Sequence, residues 1–205
     1  MSGVSSFKNL QPSQLVNDLI LYLETELPNF LISEEFVEIL AVKKNENQHS
    51  TAFCVYMTNK CASRFCFQRE NAQKRSSTVD IGIYKGANLL FTIEAKVLPT
   101  PKDSKREDHE YVFGKGGGIE RFRKEDHGLD NRNNLLPECG MIAYVKSQDF
   151  NYWFSTINQW VSDATWPENE KLEIVNFDKI ARLKSNHLRK GGSNVTLHHF
   201  WTKVN

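Results

Sequence analysis

The sequence predicts a mixed α/β fold, a central β-sheet flanked by helices. Three observations carry this. Leu15, Leu19 and Leu23 recur every four residues with Val16, Ile20 and Leu27 alongside, the period of an amphipathic helix. Two strand-like runs, Thr78 to Tyr84 and Leu89 to Leu98, are separated by Lys85-Gly86-Ala87-Asn88, a hairpin-turn composition that makes them sheet neighbours. The near-continuous apolar run Gly140 to Lys146 reads as a buried strand, and it precedes a helical stripe of Phe150, Trp153, Phe154, Ile157, Trp160 and Val161.

In chain order, Pro12 can open the first helix and Pro28 should stop it. Phe36 to Val42 fits a strand or a short helix, and the polar run Lys43 to Ser50 reads as a loop. Thr51 to Met57 and Arg64 to Phe67 are rich in aromatic, β-branched and cysteine residues, so two strands joined by a turn are expected. Polar residues from Gln68 to Ser77 then interrupt before the hairpin. After Pro99 and Pro101, a glycine cluster (Gly114, Gly116, Gly117, Gly118) leads into a helix from Ile119 that Gly128 would end. Beyond the aromatic helix, which closes near Pro167, Leu172 to Phe177 and Val195 to Trp201 read as late strands.

A chain of 205 residues, 40% hydrophobic and 25% charged, suffices for one domain. Its core should span about 12–165, with a basic C-terminal strand extension over about 170–205. No stretch approaches the roughly 20 apolar residues of a membrane span, and the start lacks a basic region followed by an apolar one. A soluble, cytoplasmic protein with no membrane partner is expected. The four cysteines are too sparse for a disulfide scaffold and should be reduced.

The net charge of +1 is unevenly spread. Met1 to Leu40 holds six acids against Lys8, and Lys179 to the end holds six bases and no acid. That basic segment, or the group Arg64, Arg69, Lys74 and Arg75, could track a phosphate backbone or simply be a solvated face.

The chemistry is concentrated in the hairpin. Strand alternation sends Val79, Ile81 and Ile83 to one face and Asp80, Gly82 and Tyr84 to the other. On the second strand Glu94 and Lys96 share a face. Asp80 falls opposite Glu94 if the turn has three residues or carries a bulge, and opposite Ile93 if it has four; we expect the odd register, with Asn88 in the left-handed position. Two carboxylates at a strand surface suit Mg2+, which keeps several waters and binds phosphate. Such an ion activates water and polarises a phosphoryl oxygen. A lysine nearby can position the water, assist its deprotonation or stabilise negative charge. An ordinary surface ion pair is the plain alternative, but the flanking Ile93, Ala95 and Val97 place these charges on an interior strand, where charge needs a reason.

Asp80, then thirteen residues, then Glu94-Ala95-Lys96, on adjacent strands after an N-terminal helix, resembles the PD-(D/E)XK phosphodiesterase superfamily of restriction-endonuclease-like folds. The resemblance covers about Leu15 to Val161 but rests on three residues, and Val79 stands where the motif's name has proline. It implies a restriction-endonuclease-like core in which Asp80 and Glu94 bind metal and Lys96 is catalytic. It also implies an acid from the first helix, for which Glu24 or Glu26 is the candidate. The implied activity is a Mg2+-dependent endonuclease acting on DNA, with Mn2+ able to substitute, of the kind used in restriction or other defence against foreign DNA. A homodimer would serve to cut both strands of a duplex. The alternatives are a nuclease for RNA or branched DNA, and a catalytically silent module of the same fold that binds nucleic acid or a partner protein.

The glycine cluster before Ile119 could present backbone N–H groups to a DNA phosphate, with Lys115, Arg121 and Lys124 as contacts. It lacks the lysine-serine or lysine-threonine ending of a nucleotide-binding loop, so no nucleotide cofactor is expected. Cys61 and Cys66, with His109, His127, His187, His198 and His199, lack zinc-ligand spacing. There is no GxSxG elbow.

Overall fold

The computed structural model describes residues 12–42, 45–74, 77–102 and 106–204. In chain order the elements are α1 (Pro12–Phe30), α2 (Glu34–Val42), α3 (Glu46–Lys60), β1 (Cys66–Ala72), β2 (Thr78–Lys85), β3 (Asn88–Leu98), α4 (Gly118–Arg123), β4 (Glu138–Val145), α5 (Phe150–Asp163), β5 (Glu173–Phe177), β6 (Ile180–Leu188) and β7 (Asn194–Lys203). The seven strands form one mixed sheet in the order β1-β2-β3-β4-β7-β6-β5. β3, β4 and β7 run parallel in its middle, and both flanks are antiparallel. A mixed α/β fold flanked by helices, as the sequence predicts, is what forms.

The sheet divides two cores. On one face α1 and α3 pack Leu19, Leu23, Leu27, Phe30, Phe53 and Met57 onto Ile81, Ile83, Ile93, Ala95, Val97 and Phe200. On the other, Tyr111, Ile119, Phe122 and the α5 residues Trp153, Ile157 and Val161 cover Met141, Ala143, Leu183, Leu197 and Trp201. With both faces covered, β4 is buried almost throughout, which explains its unbroken apolar sequence. Residues 173–203 supply three of the seven strands, and β7 lies next to β4 at the centre of the sheet.

Several elements differ from the sequence reading. Thr51 to Met57 is helix, not strand, within α3. Its buried face is wide (His49, Ser50, Ala52, Phe53, Cys54, Tyr56, Met57), and Asn47, Thr51, Val55, Asn59 and Lys60 form a narrow exposed stripe, so no helical period of apolar residues stands out. Pro28 does not stop α1; the helix continues to Phe30, whose ring is fully buried between α2 and α3, 4.5 Å from Phe36 and 5.7 Å from Phe53. Phe36 to Val42 is helical. The polar run after Phe67 pairs as strand through Ala72, and α4 ends at Arg123, before Gly128.

β6 went unpredicted because polar Arg182, Ser185 and His187 share its buried positions with Ile180, Ala181 and Leu183. Arg182 pairs with Glu24 and lies 4.2 Å over the Phe200 ring. Ser185 and His187 join a buried chain in which Trp201 Nε1 donates to Tyr111 Oη at 2.9 Å. The chain runs on from Tyr111 to His199 at 2.7 Å, to Ser185 at 2.8 Å, to His187 at 2.7 Å and to Glu170 at 2.9 Å. Arg189 is also buried and donates to the Leu136 carbonyl at 2.7 Å. Two of the six C-terminal bases are thus internal. Of the second basic group, Arg64 pairs with Asp18 and Arg69 with Glu70, while Arg75 lies outside the described residues. The four cysteines are free, and among the described residues no helix is long and apolar enough to cross a membrane.

Candidate active site

Register decides whether Asp80 meets Glu94. Lys85 pairs with Asn88 and Tyr84 with Leu89; a bulge then absorbs Leu90, so that Ile83 pairs with Phe91, Gly82 with Thr92 and Ile81 with Ile93. One position further, Asp80 stands opposite Glu94. The bulge supplies the odd residue that the sequence reading required. The left-handed residue of the turn is Gly86, at φ 60°, rather than Asn88, because a glycine meets no Cβ penalty there.

The ladder between β2 and β3 ends at Ile81 and Ile93. Beyond it the Ala95 amide donates to Asp80 Oδ2 at 2.7 Å, fixing this carboxylate where the strands part. Glu94 is fully buried. Its Oε1 accepts from Lys96 Nζ at 2.8 Å and from Arg121 Nη1 at 3.1 Å. His127 Nδ1 lies 3.3 Å from its Oε2. The approach of α4 that brings Arg121 down depends on Gly118: a Cβ there would stand 2.5 Å from Met141 Cε and 3.3 Å from Lys96 Cε.

These charges distort one another. Burial, reinforced by the neighbouring Glu94, pushes the Asp80 carboxyl up to about 8. Burial opposes ionisation of Glu94 as well, but Lys96 and His127 outweigh it and hold Glu94 well below the usual carboxylate range. Desolvation disfavours the Lys96 ammonium, yet Glu94, Glu46 and Asp80 more than compensate and raise its pKa. Glu46, the first residue of α3, has its carboxyl pushed up by burial and pulled back by Lys96.

Glu46 is an acid that sequence reasoning missed. It reaches the electrostatic neighbourhood of Lys96 and Asp80 because α3, the helix directly before the β1–β3 unit, begins beside them. A local signal existed: the Asn45 side chain caps α3 by accepting from the Gln48 amide at 3.0 Å, and Asn-x-x-Gln is a helix-start pattern. Glu24 and Glu26 are placed elsewhere. Glu24 pairs with Arg182 on β6, and Glu26 accepts from Tyr56 Oη at 3.2 Å.

Of the phosphate-contact candidates, Arg121 joins the site. Lys124 is exposed and pairs with Glu120 at 3.0 Å, and Lys115 is exposed in the glycine loop. That loop does not stand open as an anion cradle. Gly118, Ile119 and Glu120 amides donate to the Glu110, Tyr111 and Val112 carbonyls, and the Gly114 amide to Glu120 Oε2.

Asp80 and Glu94, with Glu46 close by, are the groups that could hold a metal. Among the described residues no three His, Cys, Asp or Glu side chains are already arranged as a metal shell. Glu94 Oε2 and Glu46 Oε2 are nonetheless buried without hydrogen-bond partners, and burial beside Glu94 favours the protonated form of Asp80. Oxygens of this kind fit a divalent cation, which would satisfy them and displace the proton. Comparison of the chain with protein-family models, with curated proteins and with solved structures gave no match.

Proposed function

We propose that this protein is a metal-dependent nuclease that hydrolyses phosphodiester bonds of DNA, with Asp80, Glu94 and Lys96 as its catalytic set. The observation that carries the reading is the meeting of Asp80, Glu94 and Lys96 where β2 and β3 separate, which resembles the arrangement expected of the PD-(D/E)XK superfamily. Asp80 and Glu94, with Glu46 as a third acid, would hold Mg2+ or Mn2+. When bound, such an ion supplies an activated water and charge stabilisation at the phosphoryl oxygen. Lys96, whose pKa is raised, stays protonated at neutral pH. As an ammonium it would orient water and steady a developing oxyanion. Arg121, with its side chain 36% exposed against 2% for Glu94, is the group that a substrate phosphate would meet first.

Incubation of the protein with supercoiled plasmid in Mg2+ or Mn2+ tests this, beside Asp80→Ala, Lys96→Ala and EDTA controls. Nicking or linearisation by the wild type, lost in both variants, is the expected result. One observation favours a second reading, a silent nucleic-acid-binding module: Glu94 Oε1 is already engaged by Lys96 and Arg121. A folded wild type that leaves DNA and RNA intact but shifts either in a gel would decide for that reading.

A further inference from the structure

His127 is fully buried; its Nε2 has no hydrogen-bond partner, and its Nδ1 meets only Glu94 Oε2, in an ion-pair contact whose geometry falls short of a hydrogen bond. An unsatisfied buried imidazole costs on the order of 1–3 kcal/mol, so such a residue calls for an explanation. One other described histidine, His49, has both nitrogens unpartnered, but its ring packs between Phe36 and Tyr144. His127 instead has a carboxylate oxygen beside it: its Nδ1 is 3.3 Å from Glu94 Oε2, an oxygen that also lacks a hydrogen bond.

That spacing has a meaning in coordination chemistry. Nitrogen and oxygen donors about 2.0–2.2 Å from one ion, in neighbouring octahedral or tetrahedral positions, stand about 3–3.5 Å apart. The His127 ring is also held in place. Its amide and that of Asp126 donate to the Arg121 carbonyl, Ser77 Oγ donates to the Asp126 carbonyl at 2.8 Å, the Leu129 amide donates to Gln73 Oε1 at 2.9 Å, and the Phe122 ring meets the imidazole edge-on.

We propose that His127 is a nitrogen ligand of the divalent cation held by Glu94, so that the site takes a first-row transition ion such as Mn2+ in preference to Mg2+. This rests on the reading of Glu94 as a metal-holding residue. Mg2+ prefers an all-oxygen shell, whereas transition ions accept mixed imidazole and carboxylate donors. Water and substrate phosphate would fill further positions, and Arg121, bonded to the other Glu94 oxygen, covers the approach.

The test is pulsed electron paramagnetic resonance of Mn2+ added to the full-length wild type, with calorimetric titration of Mn2+ and Mg2+. His127→Asn and Glu94→Gln are measured beside it, each checked for folding by circular dichroism. Expected are an imidazole-nitrogen coupling to bound Mn2+ in the wild type, its loss in His127→Asn, and a fall of about tenfold in the Mn2+-over-Mg2+ preference. Absence of the coupling in the wild type, where Mn2+ binds, overturns the role of His127 whether or not the variant folds. Mn2+ that binds and is lost in Glu94→Gln, but shows no nitrogen coupling, overturns the role of His127 and leaves the carboxylate site standing. Coupling that persists in His127→Asn assigns the nitrogen to another histidine and also overturns it. Absence of any Mn2+ binding that depends on Glu94 overturns both this inference and the metal-dependent reading.

Discussion

Asp80→Asn should make the metal-free protein more stable, and by an amount that depends on pH in a defined way. The asparagine keeps an oxygen for the Ala95 amide, so the substitution removes charge and little else. In the unfolded chain the carboxyl titrates near 3.8; in the fold burial, with Glu94 opposing and Lys96 assisting ionisation, carries it to about 8. Between those values the native state holds one proton more than the unfolded state, so the folding equilibrium constant falls up to about tenfold per pH unit. The stabilising contribution is complete below about pH 4 and is lost as pH rises through about 8. After allowance for relaxation and water entry, the advantage of Asp80→Asn should be near zero at pH 4, on the order of 2–3 kcal/mol at pH 8, and constant above. Urea denaturation of both proteins from pH 4 to 9 measures it. Glu94 and the buried His187, His198 and His199, whose pKa values are lowered, titrate in both proteins and largely cancel in the difference. A difference that stays flat with pH, or an Asp80→Asn protein less stable throughout, would refute the charge argument. Mg2+ or Mn2+ at pH 8 should raise the wild-type melting temperature and leave the variant unchanged.

The remaining expectations concern the acids, the α4 contact and the buried polar chain. Glu46→Gln should cut plasmid nicking at least about tenfold while Glu24→Gln leaves it within about twofold, because α3 and not α1 supplies the acid near Lys96; the reverse ranking in a nicking assay would restore the α1 assignment. Gly118→Ala should destabilise by about 1–3 kcal/mol in urea melts, since its Cβ would press at 3.0 Å on the Tyr111 backbone carbonyl and drive the Met141 methyl out of a packed core. An unchanged midpoint would mean that α4 does not need its close approach. Tyr111→Phe should cost about 1–3 kcal/mol, because it leaves Trp201 Nε1 and His199 Nδ1 without their buried partner. Near-neutral behaviour would show that water replaces the hydroxyl.

Strands with an alternating or unbroken apolar pattern were legible; β6, whose buried positions mix apolar with polar residues, and α3, whose buried face is too wide to leave a stripe, were not. β2, β3 and β4 announce themselves by alternation or by unbroken hydrophobicity, and the two partners of the hairpin lie a few residues apart. β6 reads as a basic surface segment because the sequence cannot show that Arg182 meets Glu24, or that His187 meets Glu170, across long stretches of chain. α3 reads as a strand because its composition favours one, and the wide face that α1, α2 and β1 cover erases the helical stripe. Tertiary contact overrode local preference in both places.

The same distinction governs the site. Asp80, Glu94 and Lys96 could be found from sequence because one hairpin carries them, and because the bulge at Leu90 restores the register that brings the carboxylates opposite. Glu46 and His127 come from segments whose approach to Glu94 is set by packing on opposite faces of the sheet, so no spacing rule reaches them. What makes the set more than an accident of packing is its cost. An apolar side chain at position 80 would fill the notch between β2 and β3 without a strained carboxyl, and Glu94 would need no ammonium beside it. A fold that carries several such groups within one neighbourhood, with two carboxylate oxygens and an imidazole left unsatisfied, gives up stability there, as sites built to meet a charged ligand do. The Asp80→Asn stability profile measures the Asp80 share of that cost directly.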